Sequence, residues 1–156
     1  MEAIQEQKPF QVSLIMPEHL SQVWGDCEKL LYKSCHRSGG RIKPINILYR
    51  LNNNECSLWI IFEEKNLEIV GCVITRIHTY PADLKMLHIE HLAGKKMHDW
   101  IDDGLEVMYD WAKVNNCKGV EGVGRGGFWN WIKNKDWEET ARFYEIKFDE
   151  VKDEIS

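Results

Sequence analysis

The sequence predicts an α/β fold, with one central mixed, mostly antiparallel sheet and helices on both faces. Three observations carry that prediction. Apolar residues recur at helical spacing up to about residue 52, then switch to period two or to continuous runs from Ser57. The clearest helical stripe in the chain follows those runs: Met97, Trp100, Ile101, Gly104, Leu105, Met108, Trp111 and Ala112. A strand-like run, Lys118–Val123, comes straight after that stripe, which favours parallel pairing with an earlier strand.

The elements follow in order. Gln11–Ile15 alternates polar and apolar residues and reads as a short strand. Pro17, well placed in a first helical turn, opens a helix to about Cys35. Its face holds Val23, Cys27, Leu30, Leu31 and Ser34, with Trp24 beside them. Ser38-Gly39-Gly40 stops it. A second helix begins near Pro44, with Ile45, Leu48, Tyr49 and Asn52 on one face, and Asn52-Asn53-Asn54 ends it. Ser57–Phe62, Glu68–Tyr80 and Lys85–Leu92 form three strands of a meander, joined by turns at Glu63–Asn66 and Pro81-Ala82-Asp83. Lys96–Asn116 is the main helix, with Asp99, Asp102, Asp103, Glu106 and Asp110 opposite its apolar stripe. After Lys118–Val123, a glycine-rich loop leads to a short helix, Phe128–Asn134, and Arg142–Phe148 reads as a last strand. The order is β-α-α-β-β-β-α-β-α-β.

The chain has 156 residues, about one domain, and neither an internal repeat nor a Pro/Ser-rich linker divides it. A single domain over 1–156 is expected, with 1–9 and 149–156 loose. Net charge is −5, so the chain has no basic excess to neutralise phosphates and nucleic acid is not the expected partner. Apolar runs fall far short of a membrane span, and the first residues lack the apolar core of a signal peptide. Five cysteines, at 27, 35, 56, 72 and 117, form no close pair, which points to a reducing, cytoplasmic setting without a disulfide framework.

The element order, and above all residues 84–148, resembles the GNAT superfamily of acyl-CoA N-acyltransferases. Met86-Leu-His-Ile-Glu-His-Leu-Ala-Gly-Lys-Lys-Met-His-Asp-Trp-Ile-Asp102 looks like that family's fourth strand, pyrophosphate loop and main helix, and Asn116-Cys-Lys-Gly-Val-Glu121 like its fifth strand. The run LAGKKMHDWID…WAKVNNCKGVEGVGRGGFWNWIKNKDW is similar to the GNAT-like proteins encoded by tailed phages. The resemblance implies acetyl-CoA as acyl donor, an amine on a small molecule or protein as acceptor, and the host cytoplasm as location, or the virion. It also implies a second reading, a catalytically silent GNAT-fold protein serving as an interaction or virion-associated module.

The implied cofactor site is Leu92, Ala93, Gly94, Lys95, Lys96 and Met97. A helix amino terminus offers unpaired amides and the positive end of a dipole to a pyrophosphate; Ala93 and Gly94 allow close approach, and Lys95 and Lys96 add charge. The loop departs from the family pattern in having one glycine and no GxG, and three aspartates sit in the first two helical turns. The alternative is an ordinary loop with solvated lysines. Acyl transfer also needs a base, and strand 85–92 offers Glu90 first and His88 second. Simple alternation puts His88 and Glu90 on one face and His91 on the other. The backbone N–H of Leu92 is the implied oxyanion donor. The family's tyrosine acid has no counterpart in Phe128–Trp137, and Tyr144 is a poor substitute.

Other motifs carry less. His88-x-Glu90-His91 with His98 matches no zinc pattern that has a mechanism. Gly122-Val-Gly-Arg-Gly-Gly127 has the grammar of a phosphate cradle but reads better as a tight strand-to-helix turn. Trp129 and Trp131 cannot share one face of a helix, so one of them is expected to be exposed or, with Arg125, to form a contact with a protein partner or a second copy.

Overall fold

The computed structural model describes residues 8–124 and 126–149; the expectations for 1–7, Arg125 and 150–156 lie outside the described residues. The chain runs β1 (Phe10–Ile15), a 3-10 turn (Pro17–His19), α1 (Leu20–His36), α2 (Pro44–Asn52), β2 (Ser57–Glu63), β3 (Ile69–Thr79), β4 (Lys85–Gly94), α3 (Met97–Val114), β5 (Gly119–Gly122) and α4 (Gly126–Ile132). The five strands stand side by side in sequence order, each antiparallel to the last except β5, which runs parallel to β4 after the α3 crossover.

Alternation along the strands builds two cores. Leu58, Ile60, Cys72, Ile74 and Ala93 pack against Cys27, Leu31 and Cys35 of α1 and Ile47 and Leu51 of α2. Trp59, Ile61, Val73, Leu87 and Ile89 pack on the other face against Trp100, Ile101, Leu105 and Met108 of α3 and Ile132 of α4. Thr75 is the one buried polar side chain in the described core, and its hydroxyl accepts the Trp59 indole N–H at 3.0 Å. The predicted fold class, a mixed sheet covered on both faces, is therefore the one found.

Several local expectations are corrected. The buried face of α2 is Pro44, Ile47 and Leu51, while Ile45 and Tyr49 are exposed. Both faces satisfy helical spacing, and packing into the α1-side core decides between them. β4 runs on through Leu92, Ala93 and Gly94, so these three residues belong to the strand and the connection to α3 is only Lys95-Lys96. Trp100 explains the extension. Its buried ring lies over Gly71 and Gly94, and a Cβ at Gly71 would come within 2.7 Å of that ring. Its indole N–H closes the turn by donating to the Lys95 carbonyl at 2.8 Å. The short helix runs Gly126–Ile132 rather than 128–134. Neither Trp129 nor Trp131 is fully exposed; both are partly buried against the α3-side core, and Trp131 stacks on His98 at 6.3 Å. Residues 142–148 form neither strand nor helix. The five cysteines are unpaired, four of them buried. No helix among the described residues is long and apolar enough to cross a membrane.

Candidate active site

Two features of β4 shape the site. The first is a bulge: Ile74 of β3 pairs with His91 but Thr75 pairs with Ile89, leaving Glu90 as the extra residue. The bulge resets the alternation. Glu90 reaches Arg50 of α2 and His91 reaches Ser34 of α1, so both lie on the α1/α2 face. This corrects the expectation that His91 points the other way, an expectation that assumed an unbroken pleat. The second feature is a gap. The β4–β5 pairing ends at Ile89↔Gly122, and β4 continues five residues further, to Gly94, with β3 the only strand beside it among the described residues.

Polar side chains gather at the closed end of that gap. The carboxylate of Glu121, on β5, accepts two hydrogen bonds at one oxygen, from the Tyr80 hydroxyl at 2.5 Å and from His88 Nδ1 at 2.6 Å. Burial pushes the Glu121 carboxyl up, but those two hydrogen bonds and the nearby imidazoles outweigh it and hold the group below its ordinary value. An ionised carboxylate can only accept, so His88 donates from Nδ1, and in the neutral ring Nε2 is the nitrogen left to accept a proton. The Tyr80 phenol is raised by the hydrogen bond to Glu121 and stays protonated.

Glu90 sits in different company. Arg50 binds it with both terminal nitrogens, at 2.5 and 2.7 Å, and Arg76 Nε adds a third contact at 2.6 Å. Burial opposes ionisation there too, but the Arg50 hydrogen bonds and the charges of both guanidinium groups prevail and hold Glu90 below the usual carboxylate range. Its lone pairs face guanidinium groups rather than the gap. His91 is held below the ordinary imidazole value, chiefly by burial, and hydrogen-bonds Ser34 at 2.7 Å.

At the other end of the gap, α3 begins at Met97 with no side chain capping it, and Lys96 stands before it in the left-handed conformation (φ 57°). The amide of Lys95 donates back to Val70 and that of Asp99 to Lys96. Those of Lys96, Met97 and His98 fall at the helix start, where no intrahelical carbonyl precedes them. The two lysines do not stand free: Lys95 pairs with Glu68, just before β3, at 2.8 Å, and Lys96 with Glu63, the last residue of β2. No cluster able to hold a metal ion occurs among the described residues.

Sequence reasoning reached His88, Glu90 and residues 92–97 but missed Glu121, Tyr80, Arg50 and Arg76. Glu121 had one available signal, as the only charged residue in an otherwise Gly/Val strand.

No family model and no curated protein matches the chain. Solved structures do. A probable acetyltransferase superposes with a TM-score of 0.67 over 92% of this chain and 99% of its own, at 11% identity. The ribosomal-protein-alanine N-acetyltransferase of Brucella melitensis biovar Abortus 2308 gives 0.63 over 90% and 99%, at 14% identity. A predicted acetyltransferase from Clostridium acetobutylicum, solved with acetyl-CoA, gives 0.64 over 88% and 96%, at 15% identity. The chain has the GNAT fold. Within that fold the bulged β4 runs past the end of its pairing with β5 and leads through Lys95-Lys96 into the uncapped start of α3.

Proposed function

We propose that this GNAT-fold chain is an acyl-CoA-dependent N-acetyltransferase with its reaction centre at the β4–β5 gap. The observation that carries the reading is the His88–Glu121 pair at the closed end of that gap, which leaves a basic imidazole nitrogen beside the strand that lacks a neighbour. The acceptor attacks as the neutral amine, its ammonium proton having gone to solvent, and His88 Nε2 takes the proton the nitrogen sheds on bonding. The amine nitrogen bonds to the thioester carbonyl carbon, the carbon–sulfur bond breaks, and the thiolate leaves to be protonated by water. Glu121 orients the ring and stabilises the imidazolium, and Tyr80 holds Glu121 in place. Glu90, with three guanidinium contacts, anchors the α2 side of the site rather than moving a proton. The diphosphate of acetyl-CoA rests on the amides of Lys96, Met97 and His98, with Leu92, Ala93 and Gly94 of β4 forming the wall beside the pantetheine arm.

A second reading, a silent GNAT-fold module of the kind phages encode, draws on one observation: Lys95 and Lys96 are already neutralised by Glu68 and Glu63. Thermal unfolding with acetyl-CoA separates the two. At a hundred times its Kd the ligand adds about 2.7 kcal/mol of stability. A rise in Tm that grows with the logarithm of ligand concentration is expected, and an unchanged Tm at millimolar acetyl-CoA leaves the silent module standing.

A further inference from the structure

Residues 142–148 carry a strand pattern, yet no backbone hydrogen bond joins them to the rest of the described chain. Glu145 and Lys147 reach the loop after α1, and Phe143, itself 72% exposed, lies under Arg41. The Arg41 guanidinium lies 5.0 Å over the Phe143 ring and pairs with Glu145, and Lys147 Nζ donates to the Gly39 carbonyl at 2.9 Å. The even-numbered residues Tyr144, Ile146 and Phe148 are 83%, 81% and 93% exposed. A row of alternate apolar side chains beside unpaired backbone is the surface of a strand without its partner.

The sequence of the row says which partner fits. Tyr144-Glu145-Ile146-Lys147-Phe148 is self-complementary when two copies run antiparallel about Ile146. In that register Tyr144 lies opposite the partner's Phe148, Ile146 opposite the partner's Ile146, and Glu145 opposite the partner's Lys147. Each is a favourable cross-strand pair, and the two-fold axis repeats each one. We propose that this chain self-associates through residues 142–148, two copies pairing as antiparallel strands centred on Ile146. The inference stands apart from the acetyl-transfer reading and does not depend on it.

Light scattering or sedimentation of the full chain, from low micromolar to near-millimolar concentration, reads the association directly. The mass should double as concentration rises. Lys147→Glu and Glu145→Lys should each stay at the mass of one chain, and an equimolar mixture of the two should recover the doubled mass as a heterodimer. Glu145→Lys also gives up its own contact with Arg41, so recovery in the mixture is the decisive arm. Independently, Ile146→Cys should cross-link under mild oxidation far beyond the parent chain, and Tyr144→Cys alone should not, because its partner in this register is Phe148. A single-chain mass throughout the range, a dimer indifferent to both charge reversals, or equal cross-linking at 144 and 146 would overturn the proposal.

Discussion

Replacing His88 with Gln should lower kcat for acetyl transfer by about 10²- to 10⁴-fold and leave the affinity for acetyl-CoA nearly unchanged. That range is about 3–5 kcal/mol of transition-state stabilisation. The reason is specific to the geometry. His88 Nδ1 is committed to Glu121 at 2.6 Å, so the ring has one basic nitrogen to offer, and a carboxamide in its place has none. Glu121→Gln should reduce kcat as well, because an amide can present its NH₂ to the ring and favour the tautomer with the proton on the wrong nitrogen. Glu90→Gln should behave differently. It breaks the contacts to Arg50 and Arg76, so its effect belongs in stability and in acceptor KM rather than in proton transfer. Steady-state kinetics with thiol release as the signal distinguishes these outcomes. A His88→Gln protein with parental kcat would remove the imidazole from the mechanism.

Trp100→Ala should cost about 3–5 kcal/mol of folding stability, a large share of the roughly 5–15 kcal/mol of a typical domain. The ring is 1% exposed, fills the space left by the missing side chains of Gly71 and Gly94, and closes the β4–α3 turn through its indole N–H. On the sheet side the hole is hard to refill, because Gly71 and Gly94 present backbone there and no side chain. Trp100→Phe keeps most of the packing and loses the hydrogen bond to the Lys95 carbonyl, for about 1 kcal/mol plus the volume difference. Denaturant midpoints measure both, and a loss under 1 kcal/mol for the alanine variant would show that the ring does not hold this corner together.

The fold was legible because its strongest signals are periodic and long. The α3 stripe from Met97 to Ala112 and the continuous apolar run of β3 admit one reading each, and their order fixes the parallel β4–β5 pairing. The choice of face on α2 was not legible, since Ile45/Leu48/Tyr49 and Pro44/Ile47/Leu51 are equally good helical stripes until α1 and the sheet are placed beside them. The site was half legible. His88 and Glu90 stand out as polar residues in an apolar strand. What separates their roles is a bulge at Glu90 and partners 33 and 40 residues away, Glu121 and Arg50, and neither a bulge nor a register is written in local periodicity. Strand propensity also outran the packing in residues 142–148, where the pattern is sound but no strand among the described residues lies beside it.

The account rests on acetyl-CoA seating its diphosphate at the start of α3. Backbone amide hydrogen exchange with and without acetyl-CoA tests this most directly. Slowed exchange at Lys96, Met97 and His98, together with residues 90–94 of β4, is the expected result. Unchanged exchange at those amides under millimolar acetyl-CoA, or protection confined to some other part of the chain, would contradict it.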